Sequence, residues 1–141
     1  MLDTSPELTQ LVRSALSYLY DYAYLQNHPL AFILDVEDDL DKVTRAQKVR
    51  RVLLDCIEAL RPQDSGEAPA DAARAYAILT YRYVDGLSME EIEEKLALSR
   101  RQVYREHAKG VEAVASVLWD KIREKQGRAL LSATASTAAS G

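Results

Sequence analysis

Six polar side chains of the kinds that contact nucleic acid lie within ten residues of this sequence: Arg100, Arg101, Gln102, Tyr104, Arg105 and Lys109. An arginine can bond a guanine edge through two hydrogen bonds, and a glutamine can do the same to an adenine. Arg101 and Arg105 are four residues apart, so on a helix they share one face. The pattern predicts a helix that enters the DNA major groove. The predicted base contacts are Arg100, Arg101, Gln102 and Arg105.

Two predicted helix starts position these residues. Ser88 is followed three residues later by Glu91, and Ser99 by Gln102, and both pairs fit the capping box. They predict a short helix, a turn of about three residues and a long second helix, which is helix-turn-helix spacing. A helix N-terminus also attracts anions. The residues predicted to contact phosphates are Ser99, Tyr104 and Lys109.

Helical periodicity covers most of the remaining sequence. Apolar residues at helical spacing predict helices over about 6–25, 30–34, 41–60 and 70–84, the last one ending at Gly86 in a left-handed cap. Five glycines, four prolines and few clusters of β-branched residues make a sandwich or barrel improbable. The sequence therefore predicts an all-α fold.

Two breaks in this pattern divide the chain. Residues 62–70 are rich in helix breakers and predict a linker. The linker separates an N-terminal helical subdomain, residues 1–61, from a helix-turn-helix domain, residues 71–126. The small residues of 127–141 predict a disordered tail or a further linker, because they bury too little surface to offset the entropy lost on ordering.

Four tyrosines alternate near the end of the first predicted helix: Tyr18, Tyr20, Tyr22 and Tyr24. On a helix they form two pairs four residues apart, one of which extends the apolar stripe. We interpret them as packing residues, with a platform on which nucleic-acid bases stack as the alternative.

A second apolar stripe follows the predicted DNA-contacting residues along the last helix. Its members are Val111, Val114, Leu118, Trp119 and Ile122. The predicted helix runs from Ser99 to about Lys125 and is longer than a three-helix head can cover. The stripe therefore needs a partner surface. Either the N-terminal subdomain covers it, or a second copy does, and a homodimer would suit two DNA half-sites about 34 Å apart.

Composition excludes several other classes of protein. The single cysteine, Cys56, cannot form an internal disulfide or supply a cysteine-rich zinc site. The sequence has no glycine-rich phosphate loop, no nucleophile elbow and no His or Cys pair at metal spacing, so we expect no enzyme activity, cofactor or metal. It also shows no signal region or membrane span, so we expect a cytoplasmic protein with no membrane partner. The net charge of −4 argues against a nonspecific nucleic-acid coat protein.

Residues 81–92, YRYVDGLSMEEI, resemble the start of region 4 of bacterial sigma factors. The similarity continues in register through residues 96–99, Val103 and Ala113, and covers about residues 74–118. The resemblance implies a helix-turn-helix that binds double-stranded promoter DNA, and it implies RNA polymerase as a second partner. It therefore points to a transcriptional regulator, or to the DNA-binding part of a larger one.

Four positions depart from the family pattern. Glu93 replaces a small residue at the contact between the two helices, and Ala97 replaces the usual glycine of the turn. Glu106 stands at a commonly basic position and His107 at a commonly apolar one. A carboxylate near the helix crossing is costly unless it reaches solvent or meets a base such as Arg105, which would then be less available to DNA. These departures leave a protein-interaction module that contacts polymerase or another regulator as the alternative function.

Overall fold

The computed structural model describes residues 6–34, 41–62 and 70–140, and of residues 70–71 and 126–140 it describes the backbone alone. The described residues form an all-α fold without strands, as predicted. The helices are α1 (Pro6–Ser17), α2 (Tyr22–Gln26), α3 (Pro29–Ile33), α4 (Lys42–Glu58), α5 (Ala70–Leu79), α6 (Met89–Leu96) and α7 (Arg100–Ser140). A single π-helical turn, Thr80–Val84, continues α5.

The first predicted helix, residues 6–25, is wrong in one respect, because the chain breaks between α1 and α2. The amides of Tyr18 and Leu19 bond the carbonyls three residues earlier, which tightens the end of α1 into a turn. Asp21 then takes an extended conformation and its carboxylate accepts a hydrogen bond from the Tyr24 amide. An aspartate that caps a new helix competes with continuation of the old one.

Side-chain caps also begin α3 and α4. The ring of His28 accepts a hydrogen bond from the Leu30 amide through Nδ1, and Pro29 occupies the first helical position. Asp41 accepts from the amide and the hydroxyl of Thr44 at the start of α4. Each cap satisfies an amide that has no partner within its helix.

Both predicted capping boxes of the helix-turn-helix are confirmed. The Ser88 hydroxyl accepts from the Glu91 amide while the Glu91 carboxylate accepts from the Ser88 amide. Ser99 and Gln102 exchange the same two bonds at 2.9 and 3.2 Å. Between α6 and α7 the chain turns at Ala97, whose φ of 53° lies in the left-handed region. The predicted left-handed Gly86 is confirmed as well, with φ 75°.

A large apolar cluster joins the two halves of the chain. It contains buried residues of α1, α3 and α4 together with Leu79, Tyr83 and the middle of α7. The cluster forms because α7 packs against α5 on one side and against α1 and α4 on the other. The N-terminal helices and the long last helix therefore share one core. Of the predicted linker, residues 63–69 lie outside the described residues.

Where a disordered tail or a linker is predicted, the structure continues the backbone of α7 to Ser140. Its 41 residues correspond to about 60 Å at 1.5 Å per residue. Alanine is the strongest helix former, and no glycine or proline interrupts residues 128–140. Because the buried part of α7 already supplies the nucleus, each further residue adds a hydrogen bond without a new nucleation cost. No helix in the described part of the chain combines the length and the apolar character needed to cross a membrane.

Candidate nucleic-acid interface

A small apolar cluster holds α6 against the first turns of α7. Its buried members are Ile78 of α5, Ile92 of α6 and Val103 of α7, and partly buried residues such as Leu87 and Leu98 surround them. The two caps at Ser88 and Ser99 set where each helix begins. Val103 turns one face of α7 inward, so the residues predicted to contact DNA are directed toward the opposite face.

Arg101, Tyr104 and Arg105 lie on that outer face. All three are exposed. Arg101 makes no ion pair or hydrogen bond with any other side chain in the described ranges. The Arg105 side chain is more than half exposed, and its Nε lies 3.9 Å from a carboxylate oxygen of Glu106. Two guanidiniums one helical turn apart, near a helix N-terminus, form a surface that attracts anions.

Arg100 is less available, because two carboxylates of α6 lie beside it. Its Nε is 3.4 Å from Oε2 of Glu93, and a terminal nitrogen is 4.0 Å from Oε1 of Glu90. The base that Glu93 meets is therefore Arg100, and Arg105 is not paired with it. Glu93 projects toward the first residue of α7 instead of its second turn, and the pairing gives this carboxylate the base that it needs near the helix crossing.

Ser99 and Gln102 use their side chains within the helix start. The hydroxyl of Ser99 and Oε1 of Gln102 are both engaged in the capping box. The Gln102 amide nitrogen remains a donor, so of its two hydrogen-bonding groups only one can face a base without loss of the cap.

The burial of Glu106 is a feature that the sequence analysis did not predict. Its side chain is 1% exposed, although the flanking Arg105 and Lys109 are more than half exposed. The Lys109 ammonium, a predicted phosphate contact, lies 3.6 Å from Oε1 of Glu106. The other oxygen, Oε2, is buried and has no hydrogen-bond partner among the described residues. A helical wheel could have detected the burial, because Val103 and Gly110 lie on the same face.

His107 joins the start of α7 to the π-helical turn. Its Nε2 and the hydroxyl of Tyr83 form a hydrogen bond of 2.6 Å. Burial, together with the positive charges of Arg13 and Arg82, lowers the pKa of His107 to about 4. Burial also raises the pKa of the Tyr83 hydroxyl. Both side chains are therefore neutral near pH 7. The hydrogen bond to Tyr83 allows a histidine to be buried at a position that is commonly apolar in the family.

The apolar stripe of α7 is covered within the chain. Val111, Val114 and Leu118 are fully buried, and Ile122 is nearly so. Trp119 is partly buried against the same cluster. Because α1 and α4 cover this stripe, it does not present an open face to a second copy.

The four tyrosines occupy the break between α1 and α2, and their rings are exposed, from 37% for Tyr24 to 58% for Tyr20. Their interpretation as packing residues on one helix is therefore wrong, because the helix that would have paired them does not form. Tyr18 and Tyr24 contact each other at a centroid distance of 4.3 Å. The Arg50 guanidinium lies 4.9 Å from the ring centre of Tyr20 and 4.7 Å from that of Tyr22.

Tyr18, Tyr20 and Tyr22 also border a groove of about 610 Å³ between the α1–α2 turn and the π-helical turn. The Tyr20 hydroxyl donates to the Tyr83 carbonyl across it, at 2.8 Å. The groove lies on the side of Tyr83 that faces the N-terminal helices. It is separate from the outer face of Arg101 and Arg105.

Among the residues that the structure describes, no group of His, Cys, Asp and Glu side chains could hold a metal ion. Cys56 is buried, and burial raises the pKa of its thiol to about 11. A thiol with so high a pKa is a poor nucleophile at neutral pH. Comparisons with family models, with curated protein sequences and with solved structures gave no match to this chain.

Proposed function

We propose that this protein is a cytoplasmic transcriptional regulator, or the DNA-binding part of a larger one, and that the first turns of α7 enter the major groove of double-stranded DNA. The observation that carries the proposal is the outer face of α7, where Arg101 and Arg105 lie exposed one turn apart. The resemblance to sigma factor region 4 supports the same function.

The proposed DNA contacts differ in how free their side chains are to reach DNA. Arg101 and Arg105 are the principal base contacts, because both side chains are exposed and the Glu106 carboxylate lies no closer than 3.9 Å to Nε of Arg105. Arg100 and Gln102 are secondary base contacts, since one is paired with Glu93 and the other caps its own helix. Tyr104 and Lys109 are the phosphate contacts, and the amides of the Ser99 turn add the positive end of the helix dipole.

The acidic surface of α6 sets the conditions for binding. Glu90, Glu91 and Glu94 are exposed beside the basic start of α7. They repel phosphates, so nonspecific affinity is low and binding depends on base contacts and on low salt.

The decisive experiment compares wild type with Arg101→Ala/Arg105→Ala on fragmented genomic duplex at 50 and 200 mM salt, values at which phosphate contacts change affinity by orders of magnitude. We expect wild type to enrich particular fragments, and the variant to bind them at least ~10-fold more weakly, since one good base contact contributes about 1 to 3 kcal/mol.

The matched control is Lys121→Ala/Arg123→Ala. It removes the same charge from exposed residues of the same helix, about 30 Å away along its axis. The control should keep the fragment preference. Equal enrichment by wild type and by the Arg101/Arg105 variant, with both folded, would contradict base reading by α7.

The second candidate is a protein-interaction module, in which α6 and the first turns of α7 contact RNA polymerase. The pairing of Arg100 with Glu90 and Glu93 favours it, because those pairs reduce the basic charge offered to DNA. Its test is capture of purified bacterial RNA polymerase by immobilised chain. This function predicts capture that survives Arg101→Ala/Arg105→Ala, and it fails if the polymerase is not retained.

A further inference from the structure

The carboxylate of Glu106 is buried in an unusual way. It lies on the inward face of α7, with Val103 three residues before it and Gly110 four residues after it. Both neighbours are buried, and Gly110 is packed closely on Leu79. A glutamate at such a position ordinarily reaches solvent or accepts several hydrogen bonds.

Only one side of this carboxylate is compensated. Oε1 lies 3.6 Å from the Lys109 ammonium and 3.9 Å from Nε of Arg105, whereas Oε2 has no hydrogen-bond partner among the described residues. A buried, half-satisfied carboxylate costs stability that an apolar residue of similar size would not cost. The two cations that compensate it are a predicted base contact and a predicted phosphate contact.

We propose that Glu106 is an internal counter-anion which occupies Arg105 and Lys109 in the free protein and competes with DNA for them. The inference rests on the proposed function and deepens it. When the two cations turn toward DNA, the buried carboxylate loses the positive charges that stabilise it. The cost of this loss makes the free energy of DNA binding less favourable. The residue is thus a positioning residue that keeps nonspecific affinity low and reserves tight binding for sites with good base contacts.

The first test compares wild type with Glu106→Gln on a mixed-sequence 30-base-pair duplex, by fluorescence anisotropy at 50 mM salt. We expect Glu106→Gln to bind at least ~5-fold more tightly, because its neutral amide no longer holds the cations. Glu112→Gln removes the same charge from an exposed position of α7 and is the matched control. It should change affinity less than twofold.

A double-mutant cycle distinguishes competition for the two cations from a general effect of the change in net charge. In a Lys109→Ala background, Glu106→Gln should give a clearly smaller gain, because one of the two competed cations is already absent. A full gain in that background would overturn the inference. Circular dichroism checks folding, and Glu106→Met replaces Glu106→Gln if the latter does not fold.

The last measurement needs no DNA. Acetylation of Lys109 by an activated acetate ester, followed by mass spectrometry, reports how tightly its ammonium is held, with Lys121 as internal reference. We expect Glu106→Gln to raise the Lys109 rate at least ~3-fold relative to Lys121, and inorganic tripolyphosphate to protect Lys109 more strongly in the variant.

The outcomes distinguish the two proposals. Equal DNA affinity of wild type and Glu106→Gln overturns the competition and leaves DNA binding intact. Absence of DNA binding by both overturns the proposed function. In that case a Lys109 rate and a tripolyphosphate protection that respond to Glu106→Gln support competition for phosphate, and unchanged values overturn it.

Discussion

Two regions of the molecule are stabilised in different ways: the shared core, and the head, which comprises the end of α5, α6 and the first turns of α7. The large cluster buries side chains from α1, α3, α4, α5 and α7 around Leu53 and Leu118. The small apolar cluster of the head has three buried members among the described residues, Ile78, Ile92 and Val103, and two capping boxes define where its helices begin. Burial therefore holds the N-terminal helices in place, whereas local hydrogen bonds contribute a large part of the order in the head.

Among the described residues, the two buried polar side chains, His28 and Glu106, show the same difference. In the N-terminal half, both ring nitrogens of His28 are used: Nδ1 accepts from the Leu30 amide, and Nε2 bonds the Ser14 hydroxyl at 2.9 Å. That hydroxyl donates onward to the Leu11 carbonyl. In the head, Glu106 keeps an unpartnered oxygen. Complete satisfaction at His28 is what a structural residue requires, and the incomplete satisfaction of Glu106 indicates a residue retained for something besides stability.

The largest expected effect comes from truncating the two clusters. Leu118→Ala should lower the free energy of unfolding by about 3 kcal/mol and speed amide exchange in both halves, because α7 joins them. Ile92→Ala should cost about 2 kcal/mol and speed exchange chiefly in α6. Urea titration and hydrogen exchange measure both. Equal acceleration of α1 and α4 amides by Ile92→Ala would contradict the division into two differently stabilised regions.

Acidification should weaken both regions through their histidines. Burial lowers the pKa of His28 and of His107, so the unfolded chain takes up these protons first as the pH falls. The stabilising contribution is fully present above the unfolded value of about 6.5 and is lost between that pH and the folded pKa, which for His107 is about 4. Urea midpoints at pH 7.5 and 5.0 should therefore differ, with lower stability at pH 5.0.

Proton NMR titration of the two ring signals checks this prediction directly, since both should titrate below 6.5. His28→Asn is the matched variant, because asparagine still caps α3 but does not titrate. It should flatten the pH dependence of stability without abolishing it. A ring that titrates above 6.5 would show that burial does not control that histidine.

The smallest effect concerns the two left-handed turns of the head. Ala97→Gly should raise the free energy of unfolding by about 1 kcal/mol, because alanine is strained at a φ of 53°. Gly86→Ala should lower it by a similar amount, although a Cβ there meets no atom within 4 Å. Thermal melting of the two variants measures both changes in stability. Destabilisation by Ala97→Gly would mean that a side-chain contact outweighs the strain.

Local patterns in the sequence were sufficient for much of the head. The boxes at Ser88 and Ser99, the cap at Gly86 and the inward Val103 all follow from neighbours within four residues, and the structure confirms each. The break after Ser17 was missed, because apolar periodicity continued through it while the Asp21 cap ended the helix. Its signal was the aspartate itself, a strong N-cap residue in the middle of an apolar run.

Helix content, helix starts and the exposed basic face of α7 were readable from the amino-acid order, because they depend on contacts between residues close along the chain. The tertiary structure decided three other features. It determined which surface covers the α7 stripe, that Glu93 meets Arg100, and that Glu106 is buried beside Arg105 and Lys109. These features depend on how helices distant in sequence, or separated by a turn, pack together. Burial and the pairing of Glu93 with Arg100 arise only when the helices meet, so a helical wheel can show which face of α7 turns inward but not what packs against it.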